Sequence, residues 1–224
     1  REAYPSDGFV YWFFWNMSGP WLCNHIWEHY LYTKDIDFLK KYYPILKGSA
    51  TFCSEWLVEN SEGELVTPVS TSPENAYLMP DGISASVCEG STMDIAIIRS
   101  LFSNTINASK ILQTDSLFCA ELTQKVNKLK KYQIGSKGQL LEWDKEYMEN
   151  EPQHRHVSHL FGLYPGCDIT DYTPELFDAA RKSLNARGNK TTGWSMAWKI
   201  SLWARLYNSL KAYEALSCLL YTSP

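Results

Sequence analysis

The chain has 224 residues, enough to bury one sizeable core and too few for two domains of ordinary size. Hydrophobic residues make up 45%, charged residues 21%, and the formal net charge is −4. That acidic balance, with lysines and arginines scattered, argues against nucleic-acid or membrane-surface binding, which both need a basic face. No apolar run approaches the roughly 20 residues of a membrane span. Cys23, Cys53, Cys88, Cys119, Cys167 and Cys218 form no C-x-x-C pair. A zinc site or redox motif is therefore not expected, and buried free thiols are.

In chain order, Trp21 to Tyr32 predicts a helix with Leu22, Ile26 and Tyr30 on its buried face. Asp35 and Asp37 suit the start of a short helix ending near Tyr43, and Pro44 suits the first turn of another running to about Asn60. Ile45, Leu46, Phe52, Cys53, Trp56 and Leu57 would be its buried stripe. Thr92 is placed to cap a helix carrying Ile95, Ile98, Leu101, Phe102 and Ile106, with Ser116 to Lys131 as its partner. Thr173-Pro174-Glu175 is a start signal, and Gly188 closes that helix. Helices at Trp194–Tyr207 and Leu210–Leu220 complete the set. No segment alternates over strand length, so the expected fold class is all-α, built of antiparallel helical hairpins. The chain opens on Arg1-Glu2 and closes on Ser223-Pro224 directly after an apolar helical run. Residues 1–224 thus read as one domain cut at both ends.

Residues 61–91 and 132–172 resist a helical reading because Gly and Pro recur through them. Long loops of this kind inside a helical domain are often functional. The first holds Ser72-Pro73-Glu74-Asn75. A carboxyl on a Pro-anchored loop near Tyr77, Leu78 and Met79 could be partly desolvated, which would raise its pKa as a general acid requires. The same tripeptide serves equally well as an exposed turn. The second loop holds His154-Arg155-His156-Val157-Ser158-His159, three of the five histidines. These could bind a metal, but no carboxylate set at ligand spacing accompanies them. They could instead contact sugar hydroxyls while Arg155 braces an acid, or be ordinary core histidines. Glu142 is a further carboxyl beside an aromatic, and Trp21, Trp27, Glu28 and Trp194 lie in aromatic-rich segments suited to sugar faces or to a core. Nothing calls for a cofactor.

Several stretches together resemble glycoside hydrolase family 95, the inverting α-L-fucosidases. They are Trp21-Leu-Cys-Asn-His-Ile-Trp-Glu-His-Tyr30, Ser72-Pro-Glu-Asn75, Gln139-Leu-Leu-Glu-Trp143, His154-Arg-His-Val-Ser-His159 with Leu160 to Gly166, Thr192-Gly-Trp-Ser195 and Leu202-Trp-Ala-Arg-Leu206. Their order and spacing fit across roughly residues 12–217. The resemblance implies a partial (α/α)6 toroid, flanking β-rich domains, and a fucosylated glycan as substrate. It assigns the general acid to Glu74. It assigns sugar contact to His154 or His156, with His159, Asn75, Trp21, Glu28 and Trp194 as further candidates. The family's water-activating motifs, Asn-x-Asn and Asp-Gly-Asn-Phe-Gly, do not occur in these 224 residues. Residues 219–224 depart from the family pattern and read as a foreign tail. Two other readings stand beside this one: another (α/α)6 carbohydrate enzyme, such as an L-galactosidase or a polysaccharide lyase, and a non-catalytic helical scaffold.

Overall fold

The computed structural model describes residues 10–222. Seven helices lie among them: α1 (Ser18–Thr33), α2 (Ile36–Trp56), α3 (Thr92–Leu112), α4 (Ser116–Lys128), α5 (Pro174–Arg187), α6 (Gly193–Arg205) and α7 (Ser209–Thr222). The fold is all-α, and consecutive helices pack as pairs: α1 on α2, α3 on α4, α6 on α7. The first two pairs are joined because α3 also packs on α1 and α2. Thirteen of the 21 residues of α3 are buried, so it is the central helix of this half.

Local chemistry explains the boundaries. Asp35 caps α2 by accepting from the Phe38 N–H at 2.9 Å, and Ser91 caps α3 by accepting from the Asp94 N–H. The α3 cap is therefore Ser91 rather than Thr92. Pro44 does not divide two helices; it lies inside α2. Only the Lys40 carbonyl loses its intrahelical donor there, and tertiary packing of Leu39, Tyr43, Leu46, Ala50 and Cys53 outweighs that loss. Arg99 closes α4 from outside, donating to the Val126, Leu129 and Lys130 carbonyls. Gly188, at φ 62, ends α5. Helix α7 continues through residues 219–222 of the expected tail; residues 1–9, 223 and 224 lie outside the described range.

The expected stripes hold where burial is complete and fail at the rim. Every α3 residue named from periodicity is buried, whereas Leu22, Ile45 and Phe52 are exposed, with Cys23 and Ala50 inside instead. Cys167 and Cys218 are exposed too; the other four thiols are buried.

Strands are present that no alternation announced, each only two residues long. They are β1 (Val58–Glu59), β2 (Leu65–Val66), β3 (Ser70–Thr71), β4 (Tyr77–Leu78), β5 (Ser84–Ala85), β6 (Val87–Cys88) and β7 (Met148–Glu149). Antiparallel pairs β1–β2 and β3–β6 fold the first long loop on itself. The third sheet, β5–β4–β7, ties the first long loop to the second. Tyr77 of β4 stacks on Tyr147 and meets Trp143 edge-on, giving these loops a small core of their own. That link sets the Ser72–Asn75 segment against the histidine segment.

Candidate active site

After β3 the chain reverses at Ser72-Pro73-Glu74-Asn75, where the Asn75 N–H donates to the Ser72 carbonyl at 3.2 Å. Pro73 occupies the second position and Glu74, at φ 56, the third. That is the pattern of a type II turn, whose third position favours Gly or Asn. A glutamate in left-handed backbone is strained, and such strain persists only where the surroundings hold it.

The Glu74 carboxylate, about a third exposed, meets two cationic or imidazole partners at one oxygen. Arg155 Nη2 donates to Oε2, and His156 Nε2 lies 2.9 Å from the same atom. Exposed indoles flank the cluster. The Arg155 guanidinium is 5.8 Å from the Trp12 ring centroid, and Trp194 meets His156 edge-on at 4.8 Å. Ser195, in the first turn of α6, donates to the Arg155 carbonyl and fixes that residue's backbone. The structure thus brings together Glu74, Arg155, His156 and Trp194, which lie up to 120 positions apart in the sequence.

The expected upward shift of Glu74 is not found. Partial burial pushes its pKa up, but the His156 hydrogen bond and the Arg155 charge outweigh this and hold it below the ordinary carboxylate value. Burial lowers the pKa of His156 despite Glu74 beside it. At neutral pH the pair is therefore a carboxylate accepting from a neutral imidazole N–H and from Arg155.

Beneath the turn sits a second carboxylate that is wholly buried. Glu142 Oε1 accepts from Ser72 Oγ at 2.5 Å and from Asn75 Nδ2 at 3.0 Å. Its Oε2 accepts from Arg187 Nη2, and His159 Nδ1 is 3.5 Å away. Arg187 Nη1 also donates to Glu149 of β7 and to the Pro152 carbonyl. Burial would raise the Glu142 pKa, but Arg187 and His159 reverse the sign and bring it to about 2. His159, enclosed, is pushed down by burial to about 4 and is neutral.

A third buried carboxyl supports β3. Ser70 Oγ lies 2.5 Å from Asp94 Oδ2 and 2.7 Å from Ser91 Oγ, and its single hydrogen cannot serve both. Ser70 donates to Asp94, which leaves Ser91 as the donor in the Ser70–Ser91 contact. Burial raises the Asp94 pKa to about 7 against these hydrogen bonds, which favour the charged form.

These shifts make a pH prediction. His159, depressed to about 4, loses native-state stability as pH falls from about 6.5, while Asp94, raised to about 7, gains it over nearly the same interval. His154 and His156, also lowered by burial, lose stability in the same direction as His159, so Asp94 offsets only part of the loss, and Glu142 adds to it below about pH 4.5 as it is driven toward its folded value near 2. The melting temperature should fall as pH drops below about 6.5 and fall more steeply below about 4.5. Asp94→Asn should steepen the upper part of that decline, readable by circular dichroism melts.

Several expected sugar contacts sit elsewhere. Asn75 is turned inward: its amide donates to Glu142 and its oxygen accepts from the Ala76 N–H, so it supports the turn instead. His154 is 2% exposed, and its Nδ1 accepts from the His156 N–H. His159 is buried against Glu142. Trp21 is half-buried, edge-on to Trp15 at 5.8 Å, and packs on the first core. Glu28 lines a separate pocket of about 280 Å³ with Asn24, Trp27, Asn104 and Arg205. Among the described residues no three His, Cys, Asp or Glu side chains are grouped to hold a metal. Sequence reading missed Arg187, which no local signal marks, and Trp12. It noticed Glu142 only as a carboxyl beside Trp143.

Residues 1–223 match the family described as "Glycosyl hydrolase family 95 catalytic domain". The chain belongs to that family. Alpha-L-fucosidase 2 of Arabidopsis thaliana is 46% identical over 213 residues, covering 94% of this chain and 25% of the relative. A "probable alpha-fucosidase A" of Aspergillus niger is 31% identical over 214 residues, 89% of this chain and 26% of the relative. Its namesake in Aspergillus oryzae is 31% identical over 168 residues, 69% of this chain and 22% of the relative. This family 95 chain therefore spans about a quarter of the length of the curated relatives it matches.

Proposed function

We propose that this chain is the acid-bearing part of an inverting α-L-fucosidase, with Glu74 as general acid. The observation that carries the reading is the position of Glu74. It is a strained, solvent-reachable carboxylate on a pinned turn, bound at one oxygen by Arg155 and His156 and bordered by Trp194. Family membership and relatives named as fucosidases support fucose as the sugar removed.

In an inverting hydrolase one carboxylic acid protonates the leaving oxygen while a base-activated water attacks the opposite face of the sugar. Glu74 must then carry a proton that its present partners disfavour. A bound glycan supplies the change: it covers the carboxyl from water and its hydroxyls draw Arg155 away, and both effects raise the Glu74 pKa. The proton that Glu74 takes up comes from solvent, and His156 Nε2, already in contact, holds the carboxyl in place. Trp194 offers an apolar face to a sugar ring. The chain is proposed as a segment of an (α/α)6 toroid, and the water-activating half lies in other parts of the complete protein.

Two measurements check this. The complete protein should release L-fucose from 2′-fucosyllactose, and proton NMR should show the β anomer first. Residues 1–224 alone should release none. Initial appearance of the α anomer, or turnover by the isolated chain, would refute the proposed division of labour.

A further inference from the structure

We propose that Glu142, locked by Arg187, is the positioning residue for Glu74. This rests on the reading of Glu74 as the acid and goes beyond it, because Glu142 itself is sealed from substrate.

The geometry is specific. Glu74 occupies a backbone conformation that a glutamate adopts at a cost, so something must hold the turn closed. The residues two before and one after it, Ser72 and Asn75, both donate to a single atom, Glu142 Oε1. The turn is therefore clamped from both sides of the reacting residue by one oxygen. That oxygen is fixed in turn through Oε2, which accepts from Arg187, and Arg187 is anchored to Glu149 and the Pro152 carbonyl. Glu149 belongs to β7 and Pro152 lies two residues before the His154–His156 segment. The same guanidinium thus sets the position of the acid on one loop and of its Arg155 and His156 partners on the other. Both side chains are 4% exposed, so neither is free to move toward solvent.

A charge pair this deeply buried is an expensive way to fill space, and an apolar pair would serve packing as well. What it provides here is directional: two hydrogen bonds that place Glu74 relative to the scissile oxygen, where an error of about 1 Å costs on the order of 100-fold.

The test compares two substrates in the complete protein. 2′-Fucosyllactose needs its leaving oxygen protonated, whereas α-L-fucosyl fluoride departs with little help from an acid. Glu142→Met should lower kcat on 2′-fucosyllactose about 100-fold with KM little changed, and leave the fluoride rate within about threefold. Ser72→Ala removes one arm of the clamp and should show the same selectivity at roughly tenfold, even if Glu142→Met fails to fold. Glu74→Gln, run alongside, fixes what loss of the acid looks like. Parallel loss on both substrates in Ser72→Ala and Glu142→Met, with Glu74→Gln selective, would overturn the positioning role alone. If Glu74→Gln is itself unselective, the assignment of the acid falls, and this inference with it.

Discussion

Glu74→Gln in the complete protein is expected to cut turnover of fucosyl-oligosaccharides by roughly 10²–10⁴, the usual contribution of general acid catalysis. Glutamine keeps the volume, the turn and an oxygen for Arg155, but it has no proton to give. Binding should survive, because the proposed site leaves Arg155, His156 and Trp194 in place to contact the sugar. Calorimetric titration of the inactive variant with 2′-fucosyllactose should therefore give an affinity within about a factor of three of the wild-type value, a difference under about 0.7 kcal/mol. A variant that loses binding and turnover together would mark Glu74 as a sugar contact and not as the acid.

The second large effect concerns stability. Arg187→Met leaves Glu142 buried at 4% side-chain exposure with its charge unpaired. Breaking a buried pair in this way costs about 3–5 kcal/mol, a large share of the 5–15 kcal/mol that holds a typical domain folded. Glu142→Leu should cost a comparable amount, since it strands the guanidinium and the two donors from Ser72 and Asn75. The double variant should cost less than the sum of the two, because no unpaired charge remains. Urea unfolding of the four proteins measures the coupling directly. Strict additivity would show that the pair is not the electrostatic unit described here.

How much of this was legible in the sequence differs between helices and loops. The α3 stripe from Ile95 to Ile106 was readable because a central helix buries most of its surface, and periodicity then has a clear meaning. Leu22, Ile45 and Phe52 misled because they lie at the rim, where an apolar residue of the same period stays exposed. Pro44 signalled a break by its lost N–H, yet packing on both sides of it kept α2 continuous. The β-strands are invisible in the sequence because a two-residue strand has no period to detect; they are specified by pairing partners as far apart as Tyr77 and Glu149, 72 positions, in β4 and β7.

The site shows the same division. Glu74 and the histidine segment stood out through Pro73 and through local residue density. Arg155 as a brace for an acid was also legible, and the acid is Glu74. The sense in which each histidine contributes was not. Which of His154, His156 and His159 faces outward depends on how the segment packs over Glu142, whose charge partner Arg187 stands at the end of α5. For the same reason the sequence does not show the direction of the Glu74 pKa shift. Desolvation raises it, and the two partners that reverse the sign lie more than 80 positions away.

The central claim, that Glu74 supplies the proton to the departing sugar, is tested most directly by the leaving-group dependence of Glu74→Gln. Its rate relative to wild type should be measured on 2′-fucosyllactose and on α-L-fucosyl fluoride under the same conditions. A loss of roughly 10²–10⁴ is expected on 2′-fucosyllactose, with near wild-type turnover of the fluoride. Equal losses on both would contradict it.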